Sequence, residues 1–289
     1  MSNNQVRLTI CLPTHNRANF IKNQLKFFEG EIKEDSLILN KVKFIVGNNA
    51  STDNTSEVLS ELHKGNPFFE LVENHENLGL VGNIINLLNQ SNSEYVWFVS
   101  DDDDLKKGII NEILRIIGNY RNLEFIFLNY LSKNEKGYNG DSGYIKYSKE
   151  IALKMFDEAY GSLVFMTSCI HKRDNLLEIS EHQFFNKISG PLFYSFYSCK
   201  KGKIYVTKKA WIVFRPGNAS YKGLKSLLKI KFEEYLPILE NLHEIGYEKK
   251  ETYKTLRGFI DKQSHSYILY FFINPLNALK IVKYVRFKT

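Results

Sequence analysis

Short apolar runs alternate with helical patterns along the first 120 residues. Runs typical of buried strands cover residues 6–12, 41–46, 69–73 and 95–99. Each is followed by apolar residues at helical spacing, within residues 18–28, 56–64, 84–89 and 108–119. Repeated strand-then-helix units predict an α/β fold with a mostly parallel, Rossmann-like central sheet and helices on both faces.

The alternation weakens after residue 120. Further strands are predicted at residues 123–130, 164–170, 203–206 and 210–214, and a helix at 147–159. Residues 224–246 and 249–262 have a helical pattern. We therefore predict one α/β domain over residues 1–220 and a helical C-terminal region over residues 221–289.

Polar runs follow three of the first four predicted strands, at Pro13–Arg17, Gly47–Thr55 and Ser100–Asp104. The carboxyl ends of parallel strands lie at one edge of a sheet, where open α/β folds bind ligands. Each run alone also fits an ordinary turn or helix cap. Residues 74–83 contain two glycines but not the G-x-G-x-x-G of a dinucleotide site.

The third polar run places four carboxylates, Asp101 to Asp104, directly after the apolar run at residues 95–99. Desolvating adjacent carboxylates without partners is costly, so they are expected at the sheet edge rather than in the core. Clustered carboxylate oxygens suit Mg²⁺ or Mn²⁺. The pattern indicates a metal-diphosphate site.

Composition narrows the class of protein. The chain has 289 residues, 43% hydrophobic residues and a net charge of +7, which fits a globular protein with an anionic ligand or membrane surface as partner. The basic residues are scattered without a recognition motif, so nucleic acid is not expected as a partner. Three separated cysteines support neither a disulfide framework nor a zinc site.

The termini give an expectation about location. Residues 1–7 lack the apolar run of a signal peptide, and no stretch approaches the ~18 apolar residues of a spanning helix. We expect a cytoplasmic protein, and peripheral attachment to the inner face of the plasma membrane is compatible with this expectation. Residues 266–288 are aromatic and basic, which fits either a packed helical appendage or a segment that contacts a membrane.

Four motifs together resemble family 2 glycosyltransferases of the GT-A fold. They are Thr9–Arg17, Gly47–Thr55, Glu76–Gly79 and Ser100–Asp104, in the order and at the spacing of that family. The resemblance is close over about the first 110 residues and looser, through residues 215–218, to about residue 220. It implies a nucleotide-sugar half over residues 1–110 and an acceptor half over residues 111–220.

The resemblance also implies substrates and site residues. The donor would be a nucleotide sugar, a UDP-sugar before GDP- or dTDP-sugars, with Mn²⁺ or Mg²⁺ as cofactor. Asp101 and Asp103 match the metal-binding DxD motif, and Asp102 the ribose contact, which leaves Asp104 to cap the next helix. The base and ribose would be held by Pro13, Thr14, Asn16, Arg17, Asn48 and Asp53.

Two departures from the family pattern concern the donor nucleotide and the catalytic base. Asn48 stands where an acid usually contacts the nucleotide. Residues 150–215 lack the Glu-Asp pair from which inverting members usually take their catalytic base. Glu178, Glu181 and His182 are the nearby candidates, of which Glu181 and His182 are the predicted bases. The resemblance implies an inverting, hexosyltransferase-like enzyme that acts on a glycan or lipid-linked acceptor in cell-surface polysaccharide synthesis.

Two other functions fit parts of the pattern. A nucleotidyl- or phosphosugar-transferase would also need metal-binding carboxylates, but usually has a lysine- and glycine-rich phosphate loop, and Pro13–Arg17 contains neither residue. A non-catalytic sugar-nucleotide-binding protein could retain the same fold without a base. Turnover of a donor distinguishes it from an enzyme.

Overall fold

The computed structural model describes residues 6–133, 135–215 and 223–284. Its strands are β1 (Leu8–Thr14), β2 (Val42–Asn48), β3 (Glu70–Glu73), β4 (Tyr95–Phe98), β5 (Asp104–Leu105), β6 (Leu123–Ser132), β7 (Glu135–Lys136), β8 (Gly143–Ile145), β9 (Cys169–Lys172) and β10 (Lys203–Val213). Its α-helices are α1 (Ala18–Glu34), α2 (Thr55–Gly65), α3 (Gly79–Gln90), α4 (Ile109–Asn119), α5 (Ser148–Glu158), α6 (Arg173–Glu178), α7 (Gly190–Lys201), α8 (Leu224–Lys229), α9 (Leu236–Asn241), α10 (Lys249–Lys262), α11 (Ser264–Ile273) and α12 (Pro275–Ile281).

The strands form one mixed sheet in the order β3-β2-β1-β4-β9-β6-β10-β5, with β7 beside β6 and β8 beside β10. Strands β3, β2, β1 and β4 run parallel to one another. Strand β9 is antiparallel to both β4 and β6, whereas β10 is parallel to β6. The predicted α/β fold with a mostly parallel central sheet is confirmed.

The middle of the sheet is the core of the domain. Strands β1 and β4 are buried along their whole length, as expected for the mainly apolar sequences of central strands. The indole of Trp97 on β4 packs edge-on against Phe28 of α1, and its N–H donates to the Thr167 carbonyl at 2.7 Å. The strand that precedes the acid cluster is therefore fixed by both packing and hydrogen bonding.

Three element predictions need correction. The two strands predicted at residues 203–206 and 210–214 are one continuous strand, β10. The polar residues between them stay in the strand, where the register with β6 shifts. The strand predicted at 164–170 begins only at Cys169, because Met166–Ser168 forms a 3₁₀ turn. The helix predicted over 224–246 is divided by a π-helix at Ile230–Tyr235.

The C-terminal helices pack on the α/β domain through aromatic side chains. Phe259 of α10 lies 5.4 Å from Phe156 of α5, measured between ring centroids. The ring of Tyr270 on α11 stacks on Phe232 at 5.0 Å. The predicted domain boundary at residue 220 lies outside the described residues. None of the helices in the described ranges is long and apolar enough to cross a membrane.

Candidate active site

A cleft of about 910 Å³ lies at the carboxyl ends of the central strands. One side is formed by the loop after β1, by asparagines that follow β2 and β3, and by the acid cluster after β4. The other side comes from the second half of the chain, including β6, the turn before β9 and the π-helix. The polar runs predicted to meet at one sheet edge therefore do so.

Asp101 is a buried carboxylate with two partners from the loop after β1. Its Oδ2 accepts a hydrogen bond from the Thr14 hydroxyl at 2.7 Å, and its Oδ1 lies 2.8 Å from Nε of Arg17. Burial raises the pKa of Asp101 to about 6, although Arg17 and Thr14 act in the opposite direction. The loop after β1 and the acid cluster are thus one polar unit.

Asp102 is held by the same arginine. Its Oδ2 lies 2.5 Å from a terminal nitrogen of Arg17, and its Oδ1 accepts from the Ser100 hydroxyl at 2.5 Å. The guanidinium of Arg17 also lies 4.6 Å from the ring centroid of Phe20. Arg17 therefore neutralises part of the acid cluster and is fixed in position by an aromatic ring.

Asp103 has different surroundings. Its Oδ2 accepts from the Thr167 hydroxyl at 2.6 Å, and the backbone N–H of Arg215 is a second donor to the carboxylate. Burial raises the pKa of Asp103 to about 7, and the Thr167 hydrogen bond opposes the shift. A cation beside this carboxylate would relieve the cost of its burial.

Asp104 points away from this group and does not cap a helix. It lies on β5, where its Oδ2 accepts from Nε of Arg215 at 2.7 Å, and it is exposed. Helix α4 instead begins after Gly108, whose φ of 81° suits glycine. The predicted cap is therefore wrong, because the chain forms a short strand before α4 begins.

The donor set around Asp103 fits a hard divalent cation. Carboxylate oxygens are ligands that Mn²⁺ and Mg²⁺ accept, and Asp103 receives its hydrogen bonds from neutral donors. Asp101 is already paired with Arg17 and could bind the ion only by exchanging that partner. Within the described ranges, no three His, Cys, Asp or Glu side chains form a metal cluster, so a ligand such as a diphosphate would have to supply further oxygens.

Asparagine side chains tie together the loops that follow β1, β2 and β3. The Asn49 amide donates to Asn77 Oδ1 at 2.8 Å, and Asn74 donates to Asn49 Oδ1 at 2.9 Å. Nδ1 of His15 lies 2.8 Å from the Asn49 carbonyl, and its Nε2 lies 3.1 Å from the Asn77 amide. His15, Asn49 and Asn77 line the cleft and were not among the predicted residues, although all three lie in polar segments that follow strands.

Four predicted residues of the first loop, Pro13, Thr14, Asn16 and Arg17, line the cleft with Asp101, Asp102 and Asp103. Asn48 and Asp53 do not. Asn48 is fully buried and donates to Ser56 Oγ at 2.7 Å and to Glu73 Oε2 at 2.8 Å. Asp53 accepts from the Thr55 backbone N–H at 3.0 Å, at the start of α2. In this structure both side chains fix the second loop outside the cleft lining, and their role as nucleotide contacts stays a prediction.

The structure does not bring Glu181 and His182 into the cleft. Glu181 is exposed, in the turn between α6 and α7. The imidazole of His182 stacks on Phe193 of α7 at 4.4 Å, and its Nδ1 accepts from the Phe184 backbone N–H at 3.3 Å. Neither side chain lines the cleft, and their role as catalytic base stays a prediction.

The second side of the cleft is mainly aromatic and apolar. Phe165 contacts Tyr130 and Phe214 edge-on, with ring centroids 4.8 and 5.2 Å away. The π-helix adds Lys231, whose Nζ donates to Gln263 Oε1 at 2.8 Å and lies 5.5 Å from the ring of Tyr160. Among the described residues that line this side, none is Asp, Glu or His.

Comparisons with known proteins agree on one family. The family model for glycosyl transferase family 2 matches residues 9–170. A GalNAc(5)-diNAcBac-PP-undecaprenol beta-1,3-glucosyltransferase of Campylobacter jejuni is 24% identical over 86% of this chain and 78% of its own length. An uncharacterised glycosyltransferase of Mycoplasma genitalium is 24% identical over 82% of this chain and 78% of its own length.

Solved structures show the same fold. S. aureus TarS 1-349 in complex with UDP-GlcNAc has a TM-score of 0.64 and 14% identity, covering 89% of this chain and 72% of TarS. The mannosyltransferase PcManGT from Pyrobaculum calidifontis, in complex with GDP-Man and Mn²⁺, has a TM-score of 0.61 and 14% identity, covering 96% and 79%. With the match over residues 9–170, these findings establish that the chain belongs to glycosyl transferase family 2.

Proposed function

We propose that this glycosyltransferase moves a sugar from a nucleotide-diphosphate donor, a UDP-sugar before GDP- or dTDP-sugars, to a hydroxyl of a lipid-linked glycan. One observation carries the donor half: Asp101, Asp102 and Asp103 share a cleft of about 910 Å³ with the loop after β1. A volume of this size suits a small-molecule ligand. The UDP-GlcNAc complex of TarS and the GDP-Man complex of PcManGT support a nucleotide-sugar ligand.

The first side of the cleft would hold the nucleotide. His15, Asn49 and Asn77 present amide and imidazole groups, which can pair with the edge of a base. The carboxylates of Asp101 and Asp102 are close enough to Arg17 to be fixed before a ligand arrives. Asp102 would accept from a ribose hydroxyl through a lone pair that its present partners leave available.

Metal dependence is part of the proposal. Asp103 would hold Mn²⁺ or Mg²⁺, with Asp101 joining if Arg17 moves to another partner. When bound, such an ion neutralises the negative charge that develops on a leaving diphosphate. Thr167 would hold the Asp103 carboxylate in one orientation, since its hydroxyl donates to Oδ2 at 2.6 Å.

The second side of the cleft would receive the acceptor. The aromatic faces of Tyr130, Phe165 and Phe214 suit the apolar face of a sugar ring. The Campylobacter relative, named as acting on a polyprenol-linked glycan, supports a lipid-linked acceptor and a role in cell-surface polysaccharide synthesis. We include inversion at the anomeric carbon in the proposal, as the outcome typical of the family. An acceptor with a lipid anchor requires the enzyme to work at a membrane surface.

A second candidate function is non-catalytic binding of a sugar nucleotide. It is favoured by one observation: the described residues on the acceptor side of the cleft include no Asp, Glu or His that could accept a proton. The sequence of residues 216–222 contains none either. Release of free nucleotide from a bound donor, with or without acceptor, distinguishes an enzyme from a binding protein.

Thermal-shift measurements with UDP-, GDP- and dTDP-sugars and Mn²⁺ test the donor site. A ligand that binds only the folded state at 100 times its Kd stabilises it by about 2.7 kcal/mol, which is readily seen as a rise in Tm. We expect one nucleotide class to raise Tm in Mn²⁺, and its nucleoside, which lacks the diphosphate, to do so far less. If none of the nucleotide sugars changes Tm, the proposed donor site is wrong.

A further inference from the structure

Exposed apolar side chains are concentrated on three short helices. Of the fifteen large hydrophobic side chains that are exposed in the described ranges, eight lie on α8, α11 and α12. They are Leu224, Leu227, Ile268, Leu269, Phe271, Phe272, Leu276 and Leu279. We call these eight residues the apolar face. Such a concentration is typical of an interaction surface, whereas isolated exposed apolar residues are ordinary.

The exposed residues of α11 occupy one side of the helix. Ile268, Phe271 and Phe272 follow the spacing of residues that share a helix face, and Phe272 is 79% exposed. Tyr267 and Tyr270 lie on the opposite side and pack against Phe232 of the π-helix. The inner side of α11 therefore anchors it to the domain, and the outer side is left to a partner.

The same three helices carry positive charge only. Their sequences, LKSLLK, SHSYILYFFI and PLNALKI, contain no Asp or Glu. Lys225 and Lys229 on α8 and Lys280 on α12 are exposed beside the apolar residues. The nearby Glu233 accepts from the Tyr270 hydroxyl at 2.8 Å and from Asn274 at 3.0 Å, so it is directed inward. The partner of the face should be apolar and negatively charged.

The apolar face reaches the acceptor side of the cleft. Leu227 is 43% exposed and also lines the cleft, and the next helical segment contributes Ile230 and Lys231 to the same lining. Helix α8 packs directly against α11. A molecule resting on α11 and α12 would therefore lie close to the part of the cleft that Leu227, Ile230 and Lys231 line.

We propose that the apolar face rests on a bilayer that contains anionic phospholipid, which brings the cleft to a lipid-linked acceptor. Phe272, Leu276 and their neighbours enter the interface, and the three lysines contact lipid phosphates. Helices of 10 and 7 residues lie on the surface and do not span it. The functional role of membrane docking rests on the proposed lipid-linked acceptor. The docking itself depends only on the apolar face and its three lysines.

A second copy of the chain fits the face less well than a bilayer. A two-fold contact places the same patch on both subunits, so the face that carries Lys225, Lys229 and Lys280 would meet an identical positively charged face. Repulsion between like charges opposes that contact, and no acid on the three helices relieves it. Anionic phospholipid satisfies the apolar and the charged part of the surface together.

Vesicle flotation with the full chain tests the proposal. We expect binding to phosphatidylcholine vesicles that contain phosphatidylglycerol, weaker binding to pure phosphatidylcholine, and a decrease with added salt. The double variant Phe272→Ser with Leu276→Ser should lower the partition coefficient at least about tenfold, since it removes two of the most exposed apolar groups. Leu37→Ser with Tyr147→Ser is the matched control, because both side chains are exposed outside the apolar face.

Three results would overturn the proposal. They are no vesicle binding by the wild-type chain, equal binding by the Phe272/Leu276 variant, and a dimer in light scattering that this variant abolishes. The nucleotide-induced rise in Tm is measured on the same samples. If the variant keeps that rise but loses vesicle binding, the docking proposal is supported independently of catalysis. Vesicle binding by a wild-type chain that shows no nucleotide effect would refute only the proposed function.

Discussion

Asp103→Asn is expected to stabilise the metal-free protein at alkaline pH. Asp103 is 4% exposed, and burial raises the pKa of its carboxyl from the ordinary value of 3.8 to about 7. A raised pKa means that the folded protein binds the proton more tightly than the unfolded chain. The stability from this proton is fully present below the unfolded pKa and is lost as the pH rises through about 7.

The two pKa values set the size of the effect. Their difference of about three corresponds to about 4 kcal/mol in the free energy of unfolding when the carboxyl is ionised. At pH 5 about a third of this cost already applies, so about 3 kcal/mol should be lost between pH 5 and pH 8. Asn has nearly the same shape, does not ionise, and can still accept the hydrogen bond from Thr167, so the variant should avoid this loss.

Urea unfolding in EDTA at pH 5 and pH 8 measures the difference. The wild-type chain should lose about 3 kcal/mol more than Asp103→Asn over this interval. Asp104→Asn is the matched control: its side chain is 50% exposed and paired with Arg215, so its pH dependence should follow the wild type. If Asp103→Asn and the wild type lose stability equally, the carboxylate does not carry the burial cost inferred from its surroundings.

Three further substitutions test other assignments in and around the cleft. Arg17→Met leaves Asp101 buried without its cation. It should lower the free energy of unfolding by about 3 kcal/mol at pH 8, and by less at pH 5, where the carboxyl can protonate. An unchanged stability in urea unfolding would contradict the structural role of this pair. Glu181→Gln and His182→Ala should each keep kcat within about threefold of the wild-type value, because neither residue lines the cleft. A decrease of about tenfold or more would show that the catalytic base lies in the turn between α6 and α7.

The acid cluster could be predicted because its position depends on local sequence. A continuous apolar run requires a buried strand, and the carboxylates that follow it must leave the core. The same reasoning places the loop after β1 at this edge, and four of the residues that the family resemblance implies there line the cleft. Their position could be predicted because the edge of a parallel sheet is determined by where its strands end, whereas their role stays a prediction.

The second loop shows how one position changes the result. Asn48 is the last residue of β2 and is fully buried, whereas Asn49 follows it and lines the cleft. Successive side chains of an extended segment point to opposite sides, so an error of one residue exchanges a position in the cleft lining for a buried one. Sequence spacing identifies the polar segment but not which of its two asparagines faces the cleft.

Contacts between distant segments could not be predicted. Thr167 holds Asp103 across 64 residues of sequence, and it lies in a 3₁₀ turn within a segment expected to be a strand. Residue type and region alone favour Glu181 and His182 as the catalytic base, but packing of His182 on Phe193 directs its side chain away from the cleft. Both outcomes depend on how the second half of the chain folds over the sheet.

Titration of the donor nucleotide into wild-type protein and Asp103→Asn, each in Mn²⁺ and in EDTA, tests whether Asp103 makes nucleotide-diphosphate binding metal-dependent. We expect the wild type to bind at least about tenfold more tightly in Mn²⁺ than in EDTA, and the variant to bind weakly and equally in both. Equal affinity of the wild type in Mn²⁺ and in EDTA, or a metal effect that survives in Asp103→Asn, would contradict this role of Asp103.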